Sequence, residues 1–224
     1  MKNKKLIIIG AGETANLAYE YFTHDSEYEV VAFCVNSEYK KLDFFHSLPV
    51  IEYEKLLELY PCNEYYVFVA LAGEKLNRNR ERLYLDVKKK GYNIASYVSS
   101  RAFVWGNVEI GENCFILEHN VLQPFTRIGN NVIMWSGNHL GHQSVVCDNC
   151  FVSSHCVIAG FCEIGANSYL GINCSIGDNV KIGRDNYIGM GAIIVKNTKQ
   201  GSFYSGEHSK RLPVTSYEFF SIDK

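Results

Sequence analysis

The sequence predicts an α/β module with a short parallel sheet over residues 1–97, then an all-β parallel β-helix over residues 98–212, then a tail over 213–224. Three observations carry this reading. An aliphatic residue recurs every six positions through the second half, a small residue recurs two positions before it, and the first half alternates strand-like apolar runs with helix-like stretches.

Lys4 to Ile9 reads as a buried strand running into Gly10-Ala11-Gly12-Glu13-Thr14-Ala15, after which Asn16 to Thr23 reads as the opening of a helix. Glu29 to Val35 is a second strand, Tyr65 to Leu71 a third, and the charged stretch Glu74 to Lys90 a helix ending at Gly91. That order predicts a small Rossmann-like βαβαβ unit. Gly10-x-Gly12-x-x-Ala15, between strand and helix, fits a turn that cradles phosphate, because glycines permit close backbone approach and a helix N-terminus offers unpaired N–H groups. Gly10, Gly12, Glu13 and Thr14 are therefore candidate substrate contacts, with Asn36 at the end of the second strand; alternatively, the two glycines only let strand and helix pack closely. An NAD-binding unit would place an acidic residue at that strand end, where this chain has Val35-Asn36-Ser37, which speaks against an oxidoreductase. Lys75, Arg78, Arg80 and Arg82 read as a solvated face of the charged helix.

From Val104, steps of six residues meet Ile110, Ile116, Leu122, Ile128, Met134, Leu140, Val146, Val152, Ile158, Ile164, Leu170, Ile176, Ile182, Ile188 and Ile194 without a miss. Chance would produce this in roughly 3 of 100,000 such chains, so the period is real. Two positions earlier lies a small register: Ala102, Val108, Cys114, Asn120, Thr126, Val132, Asn138, Ser144, Cys150, Cys156, Cys162, Ser168, Cys174, Val180, Asn186 and Ala192. Glycine follows the aliphatic residue at 111, 129, 141, 165, 171, 177, 183 and 189, where the chain is expected to turn and a side chain would be a burden. Such a register describes a parallel β-helix whose coils stack about 4.8 Å apart. Cys114, Cys150, Cys156, Cys162 and Cys174 fall in the small inward row, where a thiol is a compact apolar filler, and zinc would need ligands converging from several directions. Cys34, Cys62 and Cys147 follow no pattern.

With 47% apolar residues, the chain can bury a substantial core, and a formal net charge of −2 gives no basic excess for nucleic acid. No apolar run approaches the roughly 18 residues of a membrane span, and Leu6 to Ile9 after Met1-Lys2-Asn3-Lys4-Lys5 is too short for a signal-peptide core. A cytoplasmic protein without membrane insertion is expected.

The hexads Ile164-Gly165, Ile176-Gly177, Ile182-Gly183 and Ile188-Gly189 resemble those of the left-handed β-helix acyltransferases, over roughly Val98 to Leu212. The resemblance implies a left-handed parallel β-helix with three hexads per triangular coil, a homotrimer, and active sites in grooves between neighbouring subunits. Sixteen hexads then make a prism about 25 Å tall. Joined to the α/β module, the chain is similar to sugar acyltransferases of bacterial surface glycans such as O-antigen and capsule. These are the bacillosamine-pathway, perosamine and viosamine N-acetyltransferases and the sialic acid O-acetyltransferases. In that group the first module holds the nucleotide of a nucleotide-linked sugar, and acetyl-CoA is the co-substrate.

Acyl transfer from a thioester needs a base near neutrality and a donor for the developing oxyanion. Histidine suits the first role, and the dense cluster is Trp135-Ser136-Gly137-Asn138-His139-Leu140-Gly141-His142-Gln143, with His155 beyond it. His139, His142 and His155 all lie outside the inward registers, so all three could face a groove. Alignment with the resembled family puts the base on His142, with His139 a substrate contact or rival base. It also puts Gly160 one coil above His142, with its N–H as oxyanion donor. Some relatives follow the base with a glutamate; here Gln143 stands there, and a neutral amide cannot stabilise imidazolium comparably. A His139-x-x-His142 metal pair lacks a third ligand at any supporting spacing, so no metal is expected.

The resemblance implies direct attack without an acyl-enzyme, by an amino sugar of the 4-amino-6-deoxy type. The alternatives are O-acetylation of a sialic acid-like sugar, or a non-catalytic trimeric scaffold that senses a nucleotide. From Asn197 the tail leaves the hexad phase, and Gly206-Glu207-His208-Ser209-Lys210-Arg211 resembles the Gly-x-Pro-Ala-Lys segment closing many such helices, with His208 and Ser209 in place of proline and alanine. Lys196, Lys210 and Arg211 are the expected coenzyme contacts beside Gly160; a solvated basic pair is the other reading of Lys210 and Arg211.

Overall fold

The computed structural model describes residues 2–207 and 209–222. Its first module is a sheet in the order β3-β4-β2-β1-β5-β6, formed by β1 (Lys4–Ile9), β2 (Tyr28–Val35), β3 (Phe44–Phe45), β4 (Leu48–Glu52), β5 (Tyr66–Val69) and β6 (Asn93–Ile94). All neighbours are parallel except the short hairpin pair β3 and β4. The three expected strands form its centre. Helices α1 (Glu13–His24), α2 (Leu56–Leu59) and α3 (Arg78–Lys89) complete the module.

The charged helix starts later than its composition predicts, at Arg78 rather than Glu74. Lys75, Leu76 and Asn77 take φ of 51°, 47° and 65°, a left-handed run that cannot continue into a right-handed helix, so the turn ends where the helix begins.

From Tyr97–Val98 to Phe203–Tyr204, two-residue strands wind into three parallel sheets of seven, six and five strands. Each strand pairs with those eighteen residues away, as Phe115 does with Ile133 and His139 with Val157. The first face carries Phe115, Ile133, Phe151 and Tyr169 outward, the second Phe103, Val121, His139, Val157 and Ile193, the third Glu109, Arg127, Val145, Glu163 and Lys181. Inside, the aliphatic row and the small row form one continuous buried core. Burial pushes the Cys114 and Cys150 thiols up to about 12, so neither is a thiolate nucleophile near neutrality.

The turns fall elsewhere than expected. The glycines after the aliphatic residues have no left-handed φ. That conformation belongs to the residue just before each small one from Cys114 to Ala192, for example Asn113 at 54°, Gln143 at 62° and Asn179 at 62°. All of these glycines but Gly177 instead serve close coil stacking: a Cβ on Gly165 would lie 2.5 Å from Arg184 N, and one on Gly141 2.5 Å from Ala159 C. The prism also runs one strand further than the hexad phase. Phe203–Tyr204 still pairs with Tyr187–Ile188, sixteen residues apart by number, so a shortened coil through 197–202 breaks the rhythm but not the sheet. In the tail, α4 (Ser216–Phe219) is closed by a capping box between Thr215 and Glu218; His208 lies outside the described residues.

The two modules share a core. Phe22 of the first meets Tyr97 of the prism with ring centroids 5.6 Å apart, and Phe68 meets Phe115 at 5.4 Å. Arg80 is the largest departure from the sequence reading, because it is fully buried rather than solvated. Its guanidinium donates to Asn131 Oδ1 (3.1 Å) and to the carbonyls of Asn131 (3.2 Å), Asn149 (3.4 Å) and Cys150 (3.2 Å) on the prism. On its own module it reaches Ala72 O (3.0 Å), Leu71 O (3.4 Å) and Asn77 Oδ1 (3.3 Å). Burial lowers its pKa to about 10, so it remains charged at neutral pH. The ring of acceptors is what makes a buried cation tolerable. Arg82 is exposed as expected, and Arg78 joins Glu81 and Asp185.

Candidate active site

The corner between the second and third faces holds a column of residues eighteen apart: His142, Gly160, Asp178 and Lys196. His142 follows the strand His139–Leu140 and its side chain is exposed. Phe161 N donates to His142 O at 2.9 Å, which locks the two coils in register. A Cβ on Gly160 would lie 2.7 Å from His142 Cε1 and 3.0 Å from Nε2, so the imidazole lies against the bare backbone of Gly160. The Phe161 ring lies edge-on to the imidazole at 5.0 Å and 81°.

The Gly160 N–H is not free. It donates to Asp178 Oδ1 at 3.1 Å, as Asn130 N does to Asp148 and Glu112 N to Asn130 in a neighbouring column. Coil stacking thus supplies an acceptor that the sequence reading lacked. Asp178 is exposed, so its carboxylate regains water if it swings away.

Gln143 occupies the left-handed corner, its N–H bonded to Pro124 O (3.2 Å), and among the described residues no hydrogen bond joins its side chain to the imidazole. A different amide reaches that ring. Gln123 Oε1, from the preceding coil, accepts the His142 backbone N–H at 2.9 Å and lies 3.3 Å from His142 Nδ1. Sequence reasoning missed it because nothing in the hexad pattern marks a contact nineteen residues back.

His139 is half-buried on the second face, three residues from His142, amid Val121, Val157, Phe103 and Ile193. His155 sits at the next corner, where it covers Gly137: a Cβ there would lie 2.5 Å from His155 Cε1. Lys196 is exposed at the top of the His142 column. Lys210 and Arg211 are exposed and make no hydrogen bond or ion pair among the described residues. No group of three or more His, Cys, Asp or Glu among the described residues could hold a metal ion.

The α/β candidates converge at the carboxyl ends of the parallel strands, where open α/β sheets take ligands. Gly10 N bonds Cys34 O (2.8 Å) and Ala70 N bonds Ile9 O (2.9 Å), which sets the ends of β1, β2 and β5 side by side. The two glycines differ. Gly10 has φ +131° and a Cβ there would lie 2.8 Å from Ala70 O, so packing alone demands it. Gly12, the exposed N-cap of α1, has nothing within 4 Å of where a Cβ would be, so packing does not account for it. Glu13 is exposed, and Thr14 and Asn36 are half-exposed beside it. His46, from the hairpin, adds to this edge: it stacks on Tyr19 at 4.1 Å and bonds Asn16 Oδ1 through Nε2 at 2.6 Å. The only sequence signal for it was a lone histidine between two strands.

The bacterial transferase hexapeptide (six repeats) family matches residues 161–196. Among solved structures, the chain is similar to a perosamine N-acetyltransferase variant from Caulobacter crescentus in complex with CoA and GDP-perosamine, with TM-score 0.81 and 21% identity over 90% of this chain and 93% of that one. It is also similar to the acetyltransferase domain of PglB from Neisseria gonorrhoeae in complex with acetyl coenzyme A, with TM-score 0.82 and 21% identity over 94% and 100%. The likeness runs through both modules and shows the fold: an α/β module joined to a left-handed parallel β-helix.

Proposed function

We propose that the protein is an acetyl-CoA-dependent N-acetyltransferase acting on a nucleotide-linked amino sugar, of the 4-amino-6-deoxy type, for a bacterial surface glycan. The observation that carries this is the exposed imidazole of His142 lying against Gly160, on a fold shared with acetyltransferases crystallised with CoA and with an amino sugar nucleotide. An amine attacking a thioester must lose a proton as the new bond forms. His142 Nε2 receives it, while the Gly160 N–H takes the carbonyl oxygen once the coenzyme displaces the Asp178 carboxylate. No residue forms an acyl-enzyme, in keeping with the buried, high-pKa thiols.

The nucleotide is held by Gly12, Glu13 and Thr14 at the α1 N-terminus and by Asn36, with Gly10 shaping the turn. Lys196 meets the coenzyme phosphates along the His142 column, and Lys210 and Arg211 do so from the tail. His139 and Gln143 contact the sugar.

The working form is a homotrimer. In the single chain the second face leaves Phe103, Val157 and Ile193 at 54%, 47% and 74% exposure, an apolar surface next to the catalytic corner that a second copy would cover. The grooves beside that corner, such as the one of about 440 Å³ lined by Phe125, Arg127, Gln143 and Val145, are then closed by the neighbouring copy. The protein works in the cytoplasm, where acetyl-CoA and nucleotide sugars are at hand; among the described residues no helix is long and apolar enough to cross a membrane.

The test is turnover of acetyl-CoA with UDP-, dTDP- and GDP-linked 4-amino sugars and with free sialic acid as the hydroxyl acceptor, after a thermal-shift screen of the same nucleotides. Transfer to an amine is expected. Transfer only to the hydroxyl acceptor, or none at all with a bound nucleotide, would replace this reading.

A further inference from the structure

We propose that Gln123 is the positioning residue of the catalytic histidine, fixing the His142 tautomer with a neutral oxygen where a carboxylate would otherwise serve. This rests on His142 being the base. Gln123 Oε1 accepts the His142 main-chain N–H at 2.9 Å and lies 3.3 Å from Nδ1. A main-chain N–H only donates, so the amide atom facing it is the oxygen, and an amide oxygen only accepts. Nδ1 therefore carries the proton in the neutral ring, and the lone pair falls on Nε2, which lies 3.0 Å from where a Gly160 Cβ would be, against 3.2 Å for Nδ1.

The support is itself rigid. Gln123 N donates to Leu140 O at 3.1 Å, and Gln123 O accepts from Thr126 Oγ1 at 2.8 Å, so the main chain is held on both sides of the side chain. Phe161 bounds the imidazole edge-on, which leaves the ring little freedom once Nδ1 is held. Gln143, adjacent in sequence, contributes no such bond.

A neutral acceptor orients the ring without stabilising its charged form. The charged groups around this corner are Asp178 and Lys196 in the His142 column, and Glu109, Arg127, Glu163 and Lys181 on the adjoining third face, with titratable His139 on the second. They are the same in every variant, so a change at position 123 alone sets the response. Gln123→Glu keeps the reach and adds a charge that favours imidazolium, so the acid limb of the pH–kcat profile moves up by about one pH unit. Gln123→Leu removes the acceptor, and kcat falls about tenfold with KM for both substrates unchanged.

The deciding measurement is ¹⁵N NMR of the His142 ring in the full-length protein without substrates, beside the pH profiles of the two variants. The expected result is the Nδ1–H tautomer in the wild type, a shift toward Nε2–H in Gln123→Leu, and the displaced acid limb in Gln123→Glu. An unchanged tautomer in Gln123→Leu, or an acid limb that stays in place in Gln123→Glu, overturns the proposal. Failure of the base assignment shows differently: His142→Ala would then keep full turnover, whatever the tautomer in the wild type.

Discussion

Two corners of the prism make the same turn and serve opposite ends. Between the third and first faces, Asn113, Asn131, Asn149, Asn167 and Asp185 hold left-handed φ of 54–63°; between the second and third, Phe125, Gln143, Phe161 and Asn179 do the same. At the first corner the asparagines hydrogen-bond one another up the prism, Asn113 to Asn131 and Asn131 to Asn149 at 2.8 Å each, and Arg80 seals them under α3. At the second corner Phe125, Gln143, Phe161 and Asn179 are exposed among the described residues, and His142 lies against Gly160 in solvent reach. The repeat dictates the backbone of a corner; what packs on it decides whether it anchors a module or does chemistry.

The largest effect should come from the anchored corner. Arg80→Met leaves the carbonyls of Asn131, Asn149, Leu71 and Ala72 without the guanidinium, while Cys150 O keeps the Ile133 N–H, and the buried acceptors left unpaired should cost about 3–5 kcal/mol together, read as a lower urea midpoint. A wild-type midpoint would dissolve the contrast between the corners. At the open corner the loss should be of activity only: His142→Ala should lower kcat by about 10²–10⁴ with the unfolding midpoint unchanged.

Two glycines refine the picture. Gly160→Ala pushes a methyl to 2.7 Å from His142 Cε1 and should reduce kcat about tenfold, whereas Gly177→Ala, whose nearest neighbour would be 3.6 Å away, should leave both activity and stability within error. Equal effects of the two would mean that the imidazole can move freely.

The smallest effect concerns carboxylates that tie the module to the prism. Burial pushes Asp25, Glu112 and Glu118 upward, but hydrogen bonds outweigh it. Ser100 and Tyr97 donate to Asp25, Lys88 and Tyr84 to Glu112, and Ser136 and Tyr21 to Glu118, and all three end below their ordinary values. A lowered folded pKa adds stability above the unfolded carboxylate value of about 4, and that stability is lost as pH falls through the folded one. Urea midpoints taken from pH 6 to pH 3 should therefore drop more steeply for the wild type than for an Asp25→Asn, Glu112→Gln, Glu118→Gln variant.

The prism was legible because each coil repeats one requirement, an aliphatic residue and a small one pointing inward, and sixteen repetitions outweigh any local exception. His142 and Gly160 could be paired because the resemblance implies three hexads, eighteen residues, per circuit. The left-handed corners were legible too, in Asn113, Asn131, Asn149 and Asn167, although glycine drew the reading instead. The short strands β4 and β6 were hidden, one by Pro49 and the other by being two residues long.

What the sequence by itself determined is therefore whatever depends on period, the inward rows and the buried thiols; the three faces and the stacking of His142 under Gly160 were implied by the resemblance its hexads carry. What only the tertiary structure decided is whatever depends on one partner from far along the chain. Arg80 looks solvated on its helix and is buried because prism carbonyls 51 to 70 residues away converge on it. Gly160 looks like a free donor until Asp178 closes on it, and His142 looks unsupported until Gln123 reaches it from the coil below. A periodic core is set by many equivalent contacts that each residue type announces, whereas a single hydrogen bond is set by the position of two atoms, which no residue type announces.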